Sequence, residues 1–414
     1  MQTLLDLPNW ETRPPSGNPS AHTFSLEPTR QLLARLGNPQ QQVRFVQVAG
    51  SKGKGSVCHL LAAALQACGY RVGLYTSPHL HDLRERFRIN GENIPAAEFA
   101  RLQAHHAPHW QEIPELSFFE ACTALAMAWF AQEAVDIAIL ETGLGGRYDA
   151  TNVVNPVLCL ITSLELEHTA ILGNTLAEIA YAKGGIIKPA VPVLTVPQAD
   201  SAMQVLWQIA HEQGAPFQVV ETPDTPPVLH SARHWLNIAL VSAALQQLRV
   251  IGFHLPTQLC QPVLVHTRLP ARQEFLPGSP AYLFDVAHTI ESAIDLRAFV
   301  LQLTIAKPFV LLFGVMRDKQ VQAVLQALRA IPITHCVLTS ANHPRAMPVS
   351  ELAPIAEALA FPNLALASHL PYGLSLARQL AGKHGTILIT GSFALVGTAR
   401  ASLLPSPKPI NLLG

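Results

Sequence analysis

The sequence predicts a two-domain α/β protein, with a mostly parallel sheet in a large first domain and a second sheet in a smaller domain. From Val43 onward, short β-branched runs alternate with longer Ala/Leu-rich segments, the pattern expected when helices cover both faces of a parallel sheet. The length of 414 residues exceeds that of one ordinary hydrophobic core. A proline-rich stretch around Pro256, Pro262 and Pro270 interrupts the alternation and therefore indicates a linker.

The first domain opens with a clear strand, Val43–Ala49, which runs through a glycine-rich segment into a helix, Val57–Cys68, that Gly69 ends. Further β-branched runs alternate with helical stretches. The strands predicted from these runs are Val72–Tyr75, Val135–Leu140, Val157–Thr162 and Val191–Val196, and an apolar helix is predicted at Phe118–Ala131.

Beyond the linker the alternation restarts, which predicts a smaller doubly wound, Rossmann-like α/β domain. Its strands are predicted at Tyr282–Asp285, Phe309–Phe313, Cys336–Thr339 and Ile387–Thr390, with helices from Glu291, Gln320, Val349 and Leu374. We place the domains at residues 1–266 and 267–414.

Composition excludes several classes of protein. Lys plus Arg equals Asp plus Glu, 28 each, so no global positive field attracts nucleic acid or an anionic membrane. No window has the roughly twenty uninterrupted apolar residues of a membrane span. The segment around Pro14 and Pro15 lacks the pattern of a signal peptide, so we expect a cytoplasmic protein. Six singly placed cysteines indicate reduced packing residues rather than a zinc site.

A glycine-rich segment joins the first strand to the first helix. Between a buried strand and a helix, such a turn offers backbone N–H groups and the positive helix end to an anion, while a lysine adds a mobile charge. The strict phosphate-loop pattern would need glycine at Val48 and a hydroxyl directly after Lys54. The alternative is a turn with two exposed lysines. We predict a P-loop-type ATPase domain whose nucleotide-binding residues are Gly50, Ser51, Lys52, Gly53, Lys54, Gly55 and Ser56.

Three motifs together resemble the folylpolyglutamate synthase and dihydrofolate synthase family of the Mur ligase superfamily. They are the loop ending in Gly53-Lys54-Gly55-Ser56, the segment Tyr75-Thr76-Ser77-Pro78-His79-Leu80, and the run from Glu141 to Arg147. Further matches follow in the family's order, at Asp149–Asn152, His168-Thr169, Lys183–Pro189, Asp285–His288 and Gly391-Ser392. The resemblance spans roughly Val43 to Arg400. It implies a Mur-ligase-like ATP-binding domain followed by a C-terminal glutamate-ligase domain.

The resemblance also implies a magnesium site. Glu141 ends an apolar run at the edge where an α/β sheet presents ligands, so its carboxylate suits the metal. Ser56, Ser77 and His168 complete the implied ligand set. The alternatives are an ion pair between Glu141 and Arg147, and an ordinary hydrogen-bonded histidine at 168.

Lys183 resembles the lysine that the family converts to a carbamate, although Ala182 precedes it where the family usually has glutamate. A plain salt bridge is the alternative. Together with Lys54 and His288, Lys183 is expected to serve catalysis.

In the second domain, the resemblance implies ATP contacts from Asp285 and His288, and from the linker arginine Arg272. The alternative for Arg272 is a solvated linker residue. Asn237 matches an asparagine near the nucleotide, but Arg233 and His234 precede it where the family commonly has His-Gln. Phe118 and Phe119 resemble pterin-stacking residues, with core packing as the alternative.

The implied reaction uses ATP and Mg²⁺ to activate a carboxylate as an acyl phosphate, which the amine of L-glutamate then attacks. The acid is dihydropteroate, a folate glutamate tail, or both. We expect a monomer that binds small molecules, not nucleic acid or membranes. The alternatives are a Mur-type ligase acting on a different carboxylic acid and a catalytically silent nucleotide-binding homologue.

Overall fold

A computed structural model describes residues 3–11, 25–221 and 231–404 of the chain. The segment around Pro14 and Pro15 lies outside these residues. None of the helices in these residues combines the length and the hydrophobicity that a membrane span requires.

An eight-stranded sheet forms the core of the first domain, in the order β4-β3-β2-β5-β1-β6-β7-β8. Its strands are β1 (Phe45–Ala49), β2 (Val72–Tyr75), β3 (Phe87–Ile89), β4 (Glu92–Asn93), β5 (Ile137–Glu141), β6 (Leu158–Ile161), β7 (Val193–Thr195) and β8 (Phe217–Val219). Following the sheet from β2 across β5, β1, β6 and β7 to β8, every neighbouring pair is parallel. On the other side of β2, the strands β3 and β4 form an antiparallel edge. The predicted parallel sheet is confirmed, with predicted strand ends that differ from the observed ones by at most two residues.

Helices cover both faces of this sheet. They are α1 (Glu27–Arg35), α2 (Lys54–Ala67), α3 (Ala96–Trp110), α4 (Phe118–Gln132), α5 (Thr169–Leu172), α6 (Leu176–Gly184), α7 (Asp200–Glu212), α8 (Ala232–Val250) and α9 (Thr257–His266). Alternate residues of the central strand β1 enter opposite cores: Phe45 packs on the side of α4, and Val46 and Val48 pack on the side of α2 and α8. This period of two fixes β1, and the loop that follows it, between two rigid layers.

The predicted linker around Pro256 and Pro262 is wrong, because Pro256 immediately precedes α9 and Pro262 lies within it. Pro256 precedes the first turn, where a missing N–H costs nothing, and Pro262 lies inside the helix. Cys260 and Leu264 of α9 are buried in the core against α2. Burial of this apolar face therefore outweighs the local cost of the internal proline.

A six-stranded sheet forms the second domain, in the order β13-β12-β11-β14-β10-β9. Its strands are β9 (Glu274–Leu276), β10 (Ala281–Phe284), β11 (Phe309–Phe313), β12 (His335–Thr339), β13 (Leu364–Ala367) and β14 (Thr386–Thr390). Its helices are α10 (Ile290–Val300), α11 (Val321–Leu328), α12 (Val349–Ala358), α13 (Leu370–Ala381) and α14 (Phe393–Leu403). Only β9 is antiparallel to its neighbour, and apolar cores lie on both faces, which confirms the Rossmann-like prediction.

The two domains contact each other directly. Gly397 of α14 lies so close to the carbonyl of Leu80 that a Cβ there would collide with it. Arg400 of α14 contacts His81 at 3.1 Å. The boundary between residues 266 and 267 stays a prediction. Between the domains lies a cavity of about 2060 Å³, lined by residues of both.

Candidate active site

The glycine-rich segment leads from β1 into the first turn of α2. Gly50 and Gly53 have φ values of 148° and 92°, in the region that favours glycine. A Cβ at Gly50 would collide with the Thr162 hydroxyl, and one at Gly53 with the Asn237 amide. Lys54 opens α2, three residues earlier than predicted, and its Nζ donates to the Gly50 carbonyl at 2.9 Å. The first N–H groups of α2 therefore lie beside a lysine, an arrangement suited to an anion.

Backbone contacts hold the loop against the segment that follows β6. The N–H groups of Ser51 and Lys52 donate to the Ser163 carbonyl at 2.9 and 3.2 Å. The hydroxyl of Ser51 accepts from the N–H of Glu165 at 3.0 Å. The Lys52 side chain is only 14% exposed and lies 3.7 Å from Glu167. The alternative prediction, a turn with two exposed lysines, is therefore wrong, because Lys52 and Lys54 are both partly buried.

Lys183 is buried and joins the loop to α6. Its Nζ donates to the Gly50 carbonyl at 2.7 Å and to Glu167 Oε1 at 3.0 Å. Burial lowers the pKa of Lys183 to about 8, against the opposing charge of Glu167. Burial acts to raise the pKa of Glu167, but the charges of Lys183, Lys54 and Lys52 outweigh it and hold that pKa well below its usual range. In this structure Lys183 forms a salt bridge with Glu167, which is the arrangement given above as the alternative to a carbamate.

Glu141 is the last residue of β5, and its buried carboxylate faces the first turn of α2. Its Oε2 accepts from the Ser77 N–H at 3.1 Å. Burial raises the pKa of Glu141, and the charge of Lys54 opposes this. A Cβ at Gly55 would lie 3.4 and 3.5 Å from the two carboxylate oxygens, so glycine leaves the space between helix and carboxylate open. The alternative partner Arg147 instead covers the Tyr181 ring, with its Cζ 4.0 Å from the centroid.

These residues fit a magnesium ion that is completed by phosphates. In the described part of the chain, no group of three His, Cys, Asp or Glu side chains is arranged to hold a metal by itself. Mg²⁺ commonly uses one or two carboxylates together with substrate phosphates, rather than an all-protein cage. Glu141, with the hydroxyls of Ser56 and Ser77 on the same cavity wall, supplies hard oxygen donors of that kind.

His168 also lines the cavity, and its backbone φ is 49°. The residue is exposed toward the cleft, yet the protein atoms around the cleft displace part of the water from the ring. This desolvation is the main cause that lowers the pKa of His168 to about 4, so the ring is neutral at pH 7. A neutral imidazole can donate a nitrogen lone pair to a metal, but nitrogen is an unusual ligand for Mg²⁺.

The second domain places its candidate residues opposite the loop. Asp285 follows β10 and accepts from the N–H groups of Gln273 and Ala287 at 2.9 and 2.8 Å. Burial raises the pKa of Asp285 to about 6. One ring nitrogen of His288 contacts the Val286 carbonyl at 2.7 Å. Burial, with the charge of Lys52, lowers the pKa of His288 to about 3.

Arg272 lies within the cavity rather than on an outer linker surface. Its guanidinium carbon is 5.2 Å from the centroid of the Phe393 ring, and the side chain remains exposed toward the cleft. Asn237 is buried beside Gly53. The structure thus brings Arg272, Asn237, Asp285 and His288 to the cavity that contains the glycine-rich loop.

The two candidate stacking residues lie in different environments, so the prediction that they act as a pair is wrong. Phe118 is only 2% exposed and packs in the core, with the Arg86 guanidinium 5.2 Å from its ring centroid. Phe119, the next residue of α4, points to another side of the helix and lines the cavity. A Cβ at Gly143 would approach the Phe119 ring within 2.6 Å, so the glycine makes room for that ring.

Comparisons with known proteins agree with this geometry. The family model described as "Mur ligase, glutamate ligase domain" matches residues 271–393. A curated dihydrofolate synthase/folylpolyglutamate synthase of Bacillus subtilis (strain 168) is 31% identical over 407 residues, covering 90% of this chain and 94% of the relative. This chain belongs to that family. The resemblance inferred from the motifs is therefore confirmed.

Solved structures of family members share the whole fold. Mycobacterium tuberculosis folylpolyglutamate synthase complexed with ADP matches with a TM-score of 0.83 and 28% identity, over 92% of this chain and 95% of that one. A bifunctional folylpolyglutamate synthase/dihydrofolate synthase from Yersinia pestis, complexed with AMPPNP and Mn ion, matches with a TM-score of 0.78 and 29% identity, over 92% and 93% of the two chains. As a member of the family, the protein is an ATP-dependent ligase, which argues against a silent module.

Some residues of the site escaped the sequence interpretation. The sequence analysis gave no role to Glu165 or Glu167, yet Glu167 accepts from Lys183 and Glu165 pairs with Arg233 at 2.6 Å. Arg233 also lies 3.7 Å from Asp295 of the second domain. The departure of Arg233 from the family pattern was the one signal of this contact in the sequence.

Proposed function

We propose that this protein joins L-glutamate to a folate-type carboxylate, either dihydropteroate or the terminal γ-carboxyl of a folate tail. The observation that most supports this is the position of Lys54 and Lys183. Both donate to the Gly50 carbonyl in the loop before α2, and Lys54 and Glu141 line one cavity shared by the two domains. Such a cavity can hold a nucleotide and an acid together while excluding bulk water.

The protein's own groups act mainly by charge and position. The N–H groups at the start of α2 receive the phosphate chain, and Lys54 and Arg272 neutralise oxygens of the phosphoryl group during its transfer. Arg272 approaches from the second domain, so closure of the domains sets its distance. Asn237 and Asp285 hold the nucleotide, and His288, neutral at pH 7, offers one ring nitrogen to it.

Mg²⁺ is the cation we propose, held by Glu141, Ser56, Ser77 and His168, and it supplies further positive charge to the phosphates. The Yersinia pestis relative solved with AMPPNP and Mn ion supports a divalent metal in this family. Lys183 holds the loop in place through its hydrogen bond to the Gly50 carbonyl. Its pKa of about 8 leaves a fraction of neutral amine at pH 7.5, which carbamate formation requires, so that modification stays part of the proposal.

The acid lies on the side of the cavity formed by α4 and the Gly143 loop. There Phe119 offers its ring to the pterin. We also propose that the protein is a monomer. A cytoplasmic location completes the proposal, and the unpaired thiols of the six cysteines support it.

The test is an acceptor panel with purified protein, ATP, Mg²⁺ and L-glutamate. Dihydropteroate, tetrahydrofolate and tetrahydrofolyl diglutamate are each supplied, ADP release is followed, and products are weighed by mass spectrometry. We expect acceptor-dependent ADP release and products heavier by one glutamyl residue. Turnover only with an acid that lacks a pterin would overturn the assignment.

Lys54→Ala should lower kcat by roughly 10²–10³-fold, because it removes one charge from the phosphoryl group in transfer. Lys383→Ala is the matched control, since Lys383 is exposed and does not line the cavity. Near-normal turnover in Lys54→Ala with intact folding would contradict the role of the loop.

A further inference from the structure

The segment Ala271-Arg272-Gln273 has an unusual backbone. Ala271 and Gln273 have φ values of 56° and 50°, in the left-handed region that residues other than glycine rarely adopt. Arg272 lies between them and lines the cavity. A residue stays in such a conformation only where the surrounding structure holds it there. The contacts of this segment therefore decide where the Arg272 guanidinium lies.

Two carboxylates hold the backbone on either side of Arg272. The N–H of Ala271 donates to Glu274 Oε2 at 2.7 Å, and the N–H of Gln273 donates to Asp285 Oδ2 at 2.9 Å. Asp285 already belongs to the proposed nucleotide site, whereas the proposed function gives Glu274 no role. Glu274 is thus a second anchor of the segment, on the side of the buried residue Ala271.

The Glu274 carboxylate is itself held by Arg400 of α14. Arg400 Nε donates to Oε2 and Nη2 donates to Oε1, both at 2.8 Å, which is the bidentate geometry of a strong charge-assisted pair. The side chains of Arg400 and Glu274 are only 14% and 20% exposed. Because the carboxylate is fixed at two points and largely shielded from water, it stays directed at the N–H of Ala271.

The same helix also supports the Arg272 side chain. Phe393 is the first residue of α14, and its ring centroid lies 5.2 Å from the guanidinium carbon. Phe393 and Arg400 are seven positions apart, which places them on one face of the helix. In the part of the chain that the structure describes, no acidic side chain forms an ion pair with Arg272. Its position therefore depends on α14, through the Phe393 ring and through Arg400 and Glu274.

Arg400 also contacts the first domain. Its remaining nitrogen, Nη1, lies 3.1 Å from Nε2 of His81. Because arginine can only donate, the ring nitrogen of His81 accepts. His81 follows the segment that contains Ser77, one of the proposed magnesium ligands. The pair of Glu274 and Arg400 therefore lies at the contact between the two domains, beside the proposed phosphate site.

We propose that Glu274, held by Arg400, is the positioning residue that presents Arg272 to the phosphoryl group in transfer. This inference rests on the proposed function, which gives Arg272 that task. The guanidinium must lie within hydrogen-bond distance of the phosphoryl oxygens, and a displacement of about 1 Å in such a site can lower the rate about 100-fold. Without its anchor the left-handed backbone at Ala271 would relax, and Arg272 would move with it. Both oxygens of Glu274 already accept from the protein, so Glu274 acts through Arg272.

The test compares Glu274→Ala and Glu274→Gln in the full-length protein, with Glu351→Ala as the matched control. Glu351 also pairs with an arginine of the second domain, Arg317, but both side chains are about half exposed and neither lines the cavity. We expect Glu274→Ala to lower kcat about 10- to 100-fold, while the KM for ATP changes less than about threefold. Glu274→Gln should lie between this variant and the wild type, because its amide oxygen still accepts from Ala271. The control should match the wild type, and an unchanged kcat in Glu274→Ala would overturn the proposal.

A double-mutant cycle separates positioning from a general loss of structure. Arg272→Ala alone should lower kcat about 100- to 1000-fold. In that background Glu274→Ala should cost less than about a further twofold, because the group that it positions is gone. Two losses that multiply would show that Glu274 acts elsewhere and would overturn the proposal. A slow Arg272→Ala with a normal Glu274→Ala would remove the positioning role alone. Arg272→Ala at the wild-type rate would instead overturn the phosphate contact in the proposed function, and this inference with it.

Discussion

The histidine behind the glycine-rich loop makes stability depend on pH. His59 lies in α2, where Nδ1 contacts the Gly55 carbonyl and Nε2 contacts Arg88 Nη1, both at 2.7 Å. Arginine can only donate, so Nε2 accepts and Nδ1 carries the proton. Adding a second proton would set an imidazolium against a guanidinium. Burial, and then the charge of Arg88, lower the pKa of His59 to about 3.

The direction of the pH effect follows from linkage. The folded state holds His59 neutral, whereas an unfolded chain protonates it with a pKa of about 6.5. The stability that this preference contributes is therefore fully present above pH 6.5 and is lost as the pH falls toward 3. For pKa values of about 3 and 6.5, the loss at pH 5 amounts to about 2 kcal/mol in the free energy of unfolding.

The perturbation is His59→Gln, which keeps an acceptor for Arg88 but cannot titrate. Urea unfolding at pH 7.5 and pH 5.0 gives the loss of stability on acidification for each protein. Other buried histidines contribute equally to both, so they cancel in the difference. We expect the wild type to lose about 2 kcal/mol more than the variant. The reasoning is refuted if both lose the same amount, or if the NMR signal of the His59 ring titrates near pH 6.5.

Two further changes test the cleft. Arg233→Ala leaves Glu165 and Asp295 without their shared cation between the domains, so we expect a loss of about 1–3 kcal/mol in the unfolding free energy and a higher KM for ATP, with Arg233→Lys recovering part of both. Unchanged melting and kinetics would show that the pair is not formed in solution. Gly143→Ala places a Cβ within 2.6 Å of the Phe119 ring, so the KM for the pterin acceptor should rise while that for ATP stays constant; equal changes in both would argue against Phe119 in the acceptor site.

The residue types in the sequence were enough to predict candidate site residues at the ends of strands. Lys54 follows β1 and Glu141 ends β5, and parallel neighbours bring their carboxyl ends to one edge. The order of motifs then extended this to Asp285 and His288 of the second domain. These segments could be located in advance because their glycines and charges are read directly from the chain, and the structure brings them to one cavity.

Residues whose role depends on distant partners could not be assigned in this way. Glu167 lies sixteen positions from Lys183, on a different element, and only the folded chain joins them. Phe118 and Phe119 have the same chemistry, and the helical rotation of α4 decides which ring is buried. Pro262 indicated a linker until the burial of α9 against α2 outweighed it.

By itself the sequence determined the α/β architecture, the parallel strands and the glycine-rich loop between β1 and α2, because hydrophobic periodicity and glycine placement are local properties. Only the tertiary structure decided which charges pair across the cleft, which of two adjacent phenylalanines lines the cavity, and which contacts hold the backbone around Arg272. Those outcomes depend on packing between segments far apart in the chain, for which a single sequence carries no direct signal.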